Sequence, residues 1–222
     1  MTAFAEPPAE PHDLVRVADT DLLTDTAGAT LSDDASRALA GLGGGWVVVR
    51  RAAAPTGMLP VGIRGRQRSE RHAALLPVSG AAERVRPWQI RSTSHDPTRP
   101  PALTAFRFVT GALGHSDLRW GPAGSVAFEL VTGTSVATET SDLDLIVDAP
   151  QRLSTTEMAL ITDAITKATD ATGTRIDVQL VTPGGGVAFT EVARGDSQVA
   201  LRTVDGPILC TDPWDTSACA VR

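Results

Sequence analysis

DLDLIVD, residues 142–148, alternates in the period-two pattern of a strand with one buried face. Side chains two residues apart on a strand share a side, so Asp142 and Asp144 point one way while Leu143, Leu145 and Val147 point the other. RIDVQLV, residues 175–181, repeats the pattern, with Ile176, Val178 and Leu180 on an apolar side and Asp177 with Gln179 opposite. Between them, Met158, Ile161, Ile165 and Ala168 recur at helical spacing over 155–172, and Gly173 supplies a stop. A strand, a helix and a second strand follow one another, which predicts neighbouring strands with the helix covering their apolar side.

Outward from this unit, Leu103 to Leu113 reads as a helix, and Ser125 to Val131 is apolar enough to be helix or strand. Gly184 to Gly186 precede the helix-like VAFTEVAR, and QVALRTV and PILC read as short strands. Towards the N-terminus, HDLVRV (12–17), WVVVRRA (46–52) and MLPVGIRG (58–65) read as strands, the last two joined by a Pro-Thr-Gly turn, with a helix around 35–42. Residues 89–103 hold Pro97, Pro100 and Pro101 among Ser, Thr, Asp and Arg, without periodicity, and read as a linker. The expected class is α+β: a small N-terminal α+β domain (1–88), the linker (89–103), and a mixed-sheet catalytic domain (104–222).

The composition narrows the function. At 222 residues, 42% hydrophobic and 21% charged, the chain can build its own core. A net charge of −6 argues against general affinity for nucleic acid, and no apolar run is long enough for a bilayer. MTAFAEPPAEP lacks the basic start and apolar core of a secretion signal, so a cytoplasmic protein is expected. Cys210 and Cys219 lack zinc-site spacing and are expected to be free thiols.

Asp142 and Asp144 sit roughly 7 Å apart along the strand. Two bare carboxylates at that range repel by about 2 kcal/mol at an effective dielectric near 20, so the pair calls for compensation. Magnesium fits, since it takes oxygen ligands and leaves positions for phosphate oxygens. If the two strands are neighbours, Asp177 adds a third carboxylate, which suits a site with two magnesium ions, and helps activate an incoming hydroxyl. Upstream, Gly124 lets the backbone approach a phosphate closely and Ser125 can donate its hydroxyl.

The order Gly-Ser, Asp-Leu-Asp-Leu, then a strand with a third Asp resembles the nucleotidyltransferase superfamily related to DNA polymerase beta. More narrowly, PHDLVRV, LPVGIRGRQRSERHAA, WGPAGSVAFELVTG, SDLDLIV, RIDVQLVTPGGGVAFTEVARG and VALRTVDGPILCTDPW resemble the malonate decarboxylase holo-[acyl-carrier-protein] synthase family of phosphoribosyl-dephospho-CoA transferases. That resemblance implies transfer of phosphoribosyl-dephospho-CoA from 2'-(5''-triphosphoribosyl)-3'-dephospho-CoA to a serine of the decarboxylase's acyl-carrier protein, with release of pyrophosphate. It implies Asp142 and Asp144 as metal ligands, Gly124 and Ser125 as the triphosphate grip, and Asp177 as the third carboxylate. Residues 126–141 separate Ser125 from Asp142, a longer interval than is usual in the superfamily, and VTGTSVATET is expected to form a loop over the site. The equivalent citrate lyase enzyme, a generic nucleotidyltransferase and a degenerate, non-catalytic binding module are the alternatives.

Other residues are weaker candidates. Arg64, Arg66, Arg68 and Arg71 cluster in GIRGRQRSER, where planar guanidinium groups suit the phosphates of CoA or an acidic carrier. Arg107 is a candidate triphosphate contact on the preceding helix. His12 and Trp120 are expected to be structural, and Gly184 to Gly186 a plain loop.

Overall fold

The computed structural model describes residues 8–65, 70–91, 100–215, 217 and 219. The chain divides into two compact units, Met1–Val85 and Arg86–Arg222, and is mixed α+β throughout.

The first unit is built on five antiparallel strands. These are β1 (Leu14–Val17), β2 (Trp46–Val49), β3 (Met58–Arg64), β4 (Arg71–Pro77) and β5 (Ala81–Val85), in the order β4-β3-β2-β1-β5. Strand β3 alternates buried and half-buried residues along its whole length, the signature that makes it readable. Strand β4 buries three residues in succession, which is why alternation does not reveal it. Helix α1 (Asp33–Gly41) starts where the Ser32 hydroxyl accepts the Ala35 N–H at 3.2 Å, a standard N-cap. It lays Ala35 and Leu39 on a core of Val15, Val47, Val61, Ile63 and Leu76.

The second unit holds a six-stranded mixed sheet. Its strands are β6 (Arg119–Pro122), β7 (Leu143–Asp148), β8 (Ile176–Thr182), β9 (Gly185–Ala188), β10 (Val199–Thr203) and β11 (Gly206–Cys210), in the order β11-β10-β9-β8-β7-β6. Strands β7 and β8 run parallel, and the other pairs are antiparallel. A parallel neighbour needs a crossover, supplied here by α4 (Thr155–Thr172). Leu143, Leu145, Val147, Val178 and Leu180 form one core with Phe106, Val109 and Leu113 of α2 (Pro101–Leu113) and Ile161, Ala164 and Ala168 of α4. Each large side chain fully buried there stabilises the fold by about 1.5–3 kcal/mol relative to exposure.

Several expectations are corrected. Helix α2 begins at Pro101, inside the stretch read as linker, because proline tolerates the first helical position; residues 92–99 of that stretch lie outside the described residues. The ambiguous segment after Ala123 is a helix, α3 (Gly124–Thr132), ended by Gly133 in the left-handed conformation. VAFTEVAR splits, with Val187 and Ala188 closing β9 and Phe189–Arg194 forming α5. The glycines before it are packing residues. A Cβ at Gly184 would lie 2.9 Å from the Pro213 carbonyl oxygen, and one at Gly185 2.5 Å from that of Arg202. Cys210 and Cys219 are joined in a disulfide, not free, and no free cysteine occurs among the described residues. Sequence spacing alone could not reveal that an isolated bridge sets the two residues side by side. Among the described residues, no helix is long and apolar enough to cross a membrane.

Candidate active site

The apolar sides of β7 and β8 are covered by α2 and α4, which leaves the other side of the sheet for Asp144 and Asp177, both exposed. These two residues are register partners on the parallel pair. Adjacent strands lie about 4.8 Å apart, so partnered side chains leave the sheet together as neighbours. Asp142 is exposed one residue ahead of β7, where a turn has Ser141 N–H donating to the Thr138 carbonyl at 3.0 Å.

Helix α3 brings Gly124 and Ser125 to the same place. The Ala123 N–H donates to the Asp144 carbonyl at 2.8 Å, which ties the helix entrance to β7. Gly124 has φ +60°, and a Cβ there would collide with the Asp144 carboxylate. Glycine is thus required twice, for its backbone conformation and for the room it leaves. Ser125 follows in the first turn and is buried. The long interval after α3 is anchored from beneath: the Glu129 carboxylate, 3% exposed, accepts the N–H groups of Val136 and Ala137, each at 2.9 Å. A lone glutamate in an apolar helix is the only signal of this in the sequence.

Asp177 is engaged by Arg175, whose Nη2 lies 3.0 Å from its Oδ2. Both side chains are well exposed, so the pair contributes little and is readily exchanged. Among the described residues, no three of His, Cys, Asp and Glu stand close enough to form a ready-made metal cage. Magnesium does not need one, because it is commonly held by one or two carboxylates, with phosphate oxygens and water completing the octahedron. Asp142 and Asp144 suit that role as hard oxygen donors on an open surface.

The remaining candidates lie on other elements. Arg64 and Arg71 face each other as the end pair of β3 and β4 in the first unit, while Arg66 and Arg68 lie outside the described residues. Arg107 projects from α2, its guanidinium 5.6 Å from the Phe108 ring centre, on a helix that packs the far side of the sheet. Trp120 is an anchor, edge-on to Phe106 at 5.9 Å and donating its indole N–H to the Leu113 carbonyl at 3.3 Å. His12 belongs to the first unit, with φ +79° beside the fully buried Asp13.

Two residues on the carboxylate side carry no distinguishing signal in the sequence. Gln179 follows Asp177 by two positions, and its Oε1 accepts Nη1 of Arg202, on β10, at 2.8 Å. The reach of Arg202 depends on strand order, which no local pattern discloses. At the β6 edge, the turn Pro87–Gln89 packs on Gly121, the register partner of Ile146.

The family models match in two parts. The phosphoribosyl-dephospho-CoA transferase MdcG N-terminal domain matches residues 10–87 and its C-terminal domain residues 89–213. The chain belongs to this family. Its members are transferases, and the chain is an enzyme of that class. It is similar to a phosphoribosyl-dephospho-CoA transferase of Pseudomonas putida (strain GB-1), 39% identical over 168 residues, covering 76% of this chain and 79% of the relative. Proteins of the same description from Pseudomonas aeruginosa and Azotobacter vinelandii are each 35% identical, covering 92% of this chain and 93% and 94% of theirs. No solved structure matches the chain.

Proposed function

We propose that this phosphoribosyl-dephospho-CoA transferase takes 2'-(5''-triphosphoribosyl)-3'-dephospho-CoA and modifies a serine of the acyl-carrier protein subunit of malonate decarboxylase. The serine oxygen forms a bond to the α-phosphorus, the bond from that phosphorus to the bridging oxygen of the β-phosphate breaks, and pyrophosphate leaves. The reading rests above all on Asp144, which has Asp177 as its register partner and Gly124 packed against its carboxylate. Family membership supports the transferred group, and a carrier made in the cytoplasm would be modified there.

Asp142 and Asp144 would hold magnesium, which when bound neutralises charge on the transferring phosphate. Gly124 exposes backbone to a phosphate oxygen, and Ser125 lies in the first turn of α3, where helix N–H groups favour an anion. Asp177 can accept the proton of the attacking serine once Arg175 swings away, because their surface pairing is weak. Transfers of this type depend mainly on positioning and charge neutralisation, which these residues supply.

The test is to incubate the enzyme, magnesium and the triphosphate precursor with the apo-carrier of malonate decarboxylase or of citrate lyase, then weigh each carrier. The expected outcome is a mass gain on the malonate decarboxylase carrier that disappears with EDTA. Labelling of the citrate lyase carrier alone would overturn the assignment. Pyrophosphate release from ATP with comparable efficiency would point instead to a generic nucleotidyltransferase.

A further inference from the structure

Arg202 is an exposed arginine on the carboxylate side of the sheet, and it is held there by an amide. Arg119, Arg152, Arg175 and Arg194 in the same unit each pair with an aspartate. Among the described residues, no carboxylate pairs with Arg202; its Nη1 donates to Oε1 of Gln179 at 2.8 Å. A neutral acceptor orients a guanidinium without cancelling its charge, so the full positive charge remains for an incoming anion.

The surroundings are shaped to keep this pair in place. Gln179 is only 9% exposed, although it lies on the side of the sheet where Asp144 and Asp177 are exposed. It lies across Gly186 on β9, where a Cβ would come within 2.8 Å of its amide carbon and nitrogen. Gly186 in turn is the register partner of Arg202. The missing side chain at 186 therefore lets the arginine on β10 reach across β9 to the glutamine on β8. That glutamine stands two residues beyond Asp177, a separation of roughly 7 Å along the strand, on the scale of a triphosphate chain.

We infer that Arg202, oriented by Gln179, binds the terminal phosphates of a triphosphate ester, the pair that departs as pyrophosphate. This rests on the transfer proposed above, and it adds the residues that grip the leaving group. The α-phosphate lies over Asp144 and Asp177, and the chain runs along β8 towards Arg202, whose fork donates to the non-bridging oxygens. Arg202 is a binding residue here and takes no proton.

The test uses full-length wild type, Arg202→Ala, Arg202→Lys and Gly186→Ala, with inorganic tripolyphosphate as the calorimetric probe and carrier labelling as the kinetic one. Losing a charge-assisted hydrogen bond predicts a tripolyphosphate affinity weaker by roughly tenfold or more in Arg202→Ala, with a matching rise in KM for the precursor. Lysine restores part of this, and Gly186→Ala, which displaces Gln179, gives an intermediate loss. Thermal melts identify any variant that fails to fold, and the surface substitution at Arg202 is the decisive one. A folded Arg202→Ala that binds tripolyphosphate within about twofold of wild type overturns the inference, whatever the labelling shows. If tripolyphosphate binds through Arg202 but no carrier is labelled, the anion site stands and the transfer reading falls.

Discussion

Asp144 of β7 and Asp177 of β8 face each other in register across the parallel strand pair, two carboxylates carried by neighbouring strands of a sheet whose opposite side is sealed by helices. Their described surroundings differ. The carboxylate of Asp144 abuts Gly124, whereas Asp177 stands beside an exposed arginine. If Asp144 is the magnesium ligand proposed above, Asp144→Asn should lower kcat/KM by about 100-fold or more, since even the outer partner of a metal ligand is worth 10–100-fold. Asp177→Asn, which removes the proposed acceptor of the serine proton, should act mainly on kcat. Equal losses from both substitutions, measured by carrier mass shift, would contradict this division of labour.

Gly124→Ala is a sharper probe of the geometry. The new methyl is strained at φ +60° and aimed at the Asp144 carboxylate. The backbone cost alone is roughly 1–2 kcal/mol, and the displaced carboxylate should abolish labelling. A variant that melts a few degrees lower yet labels the carrier at the wild-type rate would show that this contact is dispensable.

Helix α4 tests the fold without touching the site. Ser154 and Glu157 form a reciprocal capping box, with the Ser154 hydroxyl and N–H each 2.7 Å from Oε2 of Glu157. Those two bonds, the hydroxyl first, hold the Glu157 carboxyl below the ordinary glutamate value. Because the folded pKa is depressed, this contribution is complete above the unfolded pKa and is lost as pH falls through the folded one. Ser154→Ala should therefore destabilise by about 1 kcal/mol near neutral pH. In denaturant titrations, the gap to wild type should shrink in acid.

The disulfide gives a fourth expectation. Cys210 ends β11, and Cys219 follows a segment stitched back to the sheet: the Thr182 hydroxyl donates to the Pro213 carbonyl at 2.8 Å, and the Trp214 indole N–H to that of Ala149 at 2.9 Å. Cross-linking so short a loop is worth about 2–3 kcal/mol in the chain-entropy picture. Reduction, or Cys219→Ser, should lower the melting temperature by several degrees in thermal melts run with and without reductant.

The legible parts of this chain are those where one side of an element is buried and the other is not. DLDLIVD and RIDVQLV announce both their strands and their exposed aspartates, and α4 shows its cap, its apolar stripe and its stop. Helix α3 is ambiguous because Ser125 through Glu129 are all buried, which erases periodicity. Strands β4, β5 and β6 are hidden for a related reason: their burial follows neighbours distant in sequence. Arg202 and Gln179 could not be paired beforehand, since their meeting depends on a glycine in the strand between them.

The polarity of the parallel pair sets where diversity can accumulate. Open α/β sheets usually receive ligands beyond the carboxyl ends of their strands. In this chain Asp142 precedes β7, while Asp144 and Asp177 are each the second residue of their strand, so the proposed site lies at the amino ends. The segments entering β7 and β8 border that rim, among them the stretch rooted on the buried Glu129. Exchanging one carrier or nucleotide for another would thus be achieved by remodelling the approaches to these strands, with the exits free to drift.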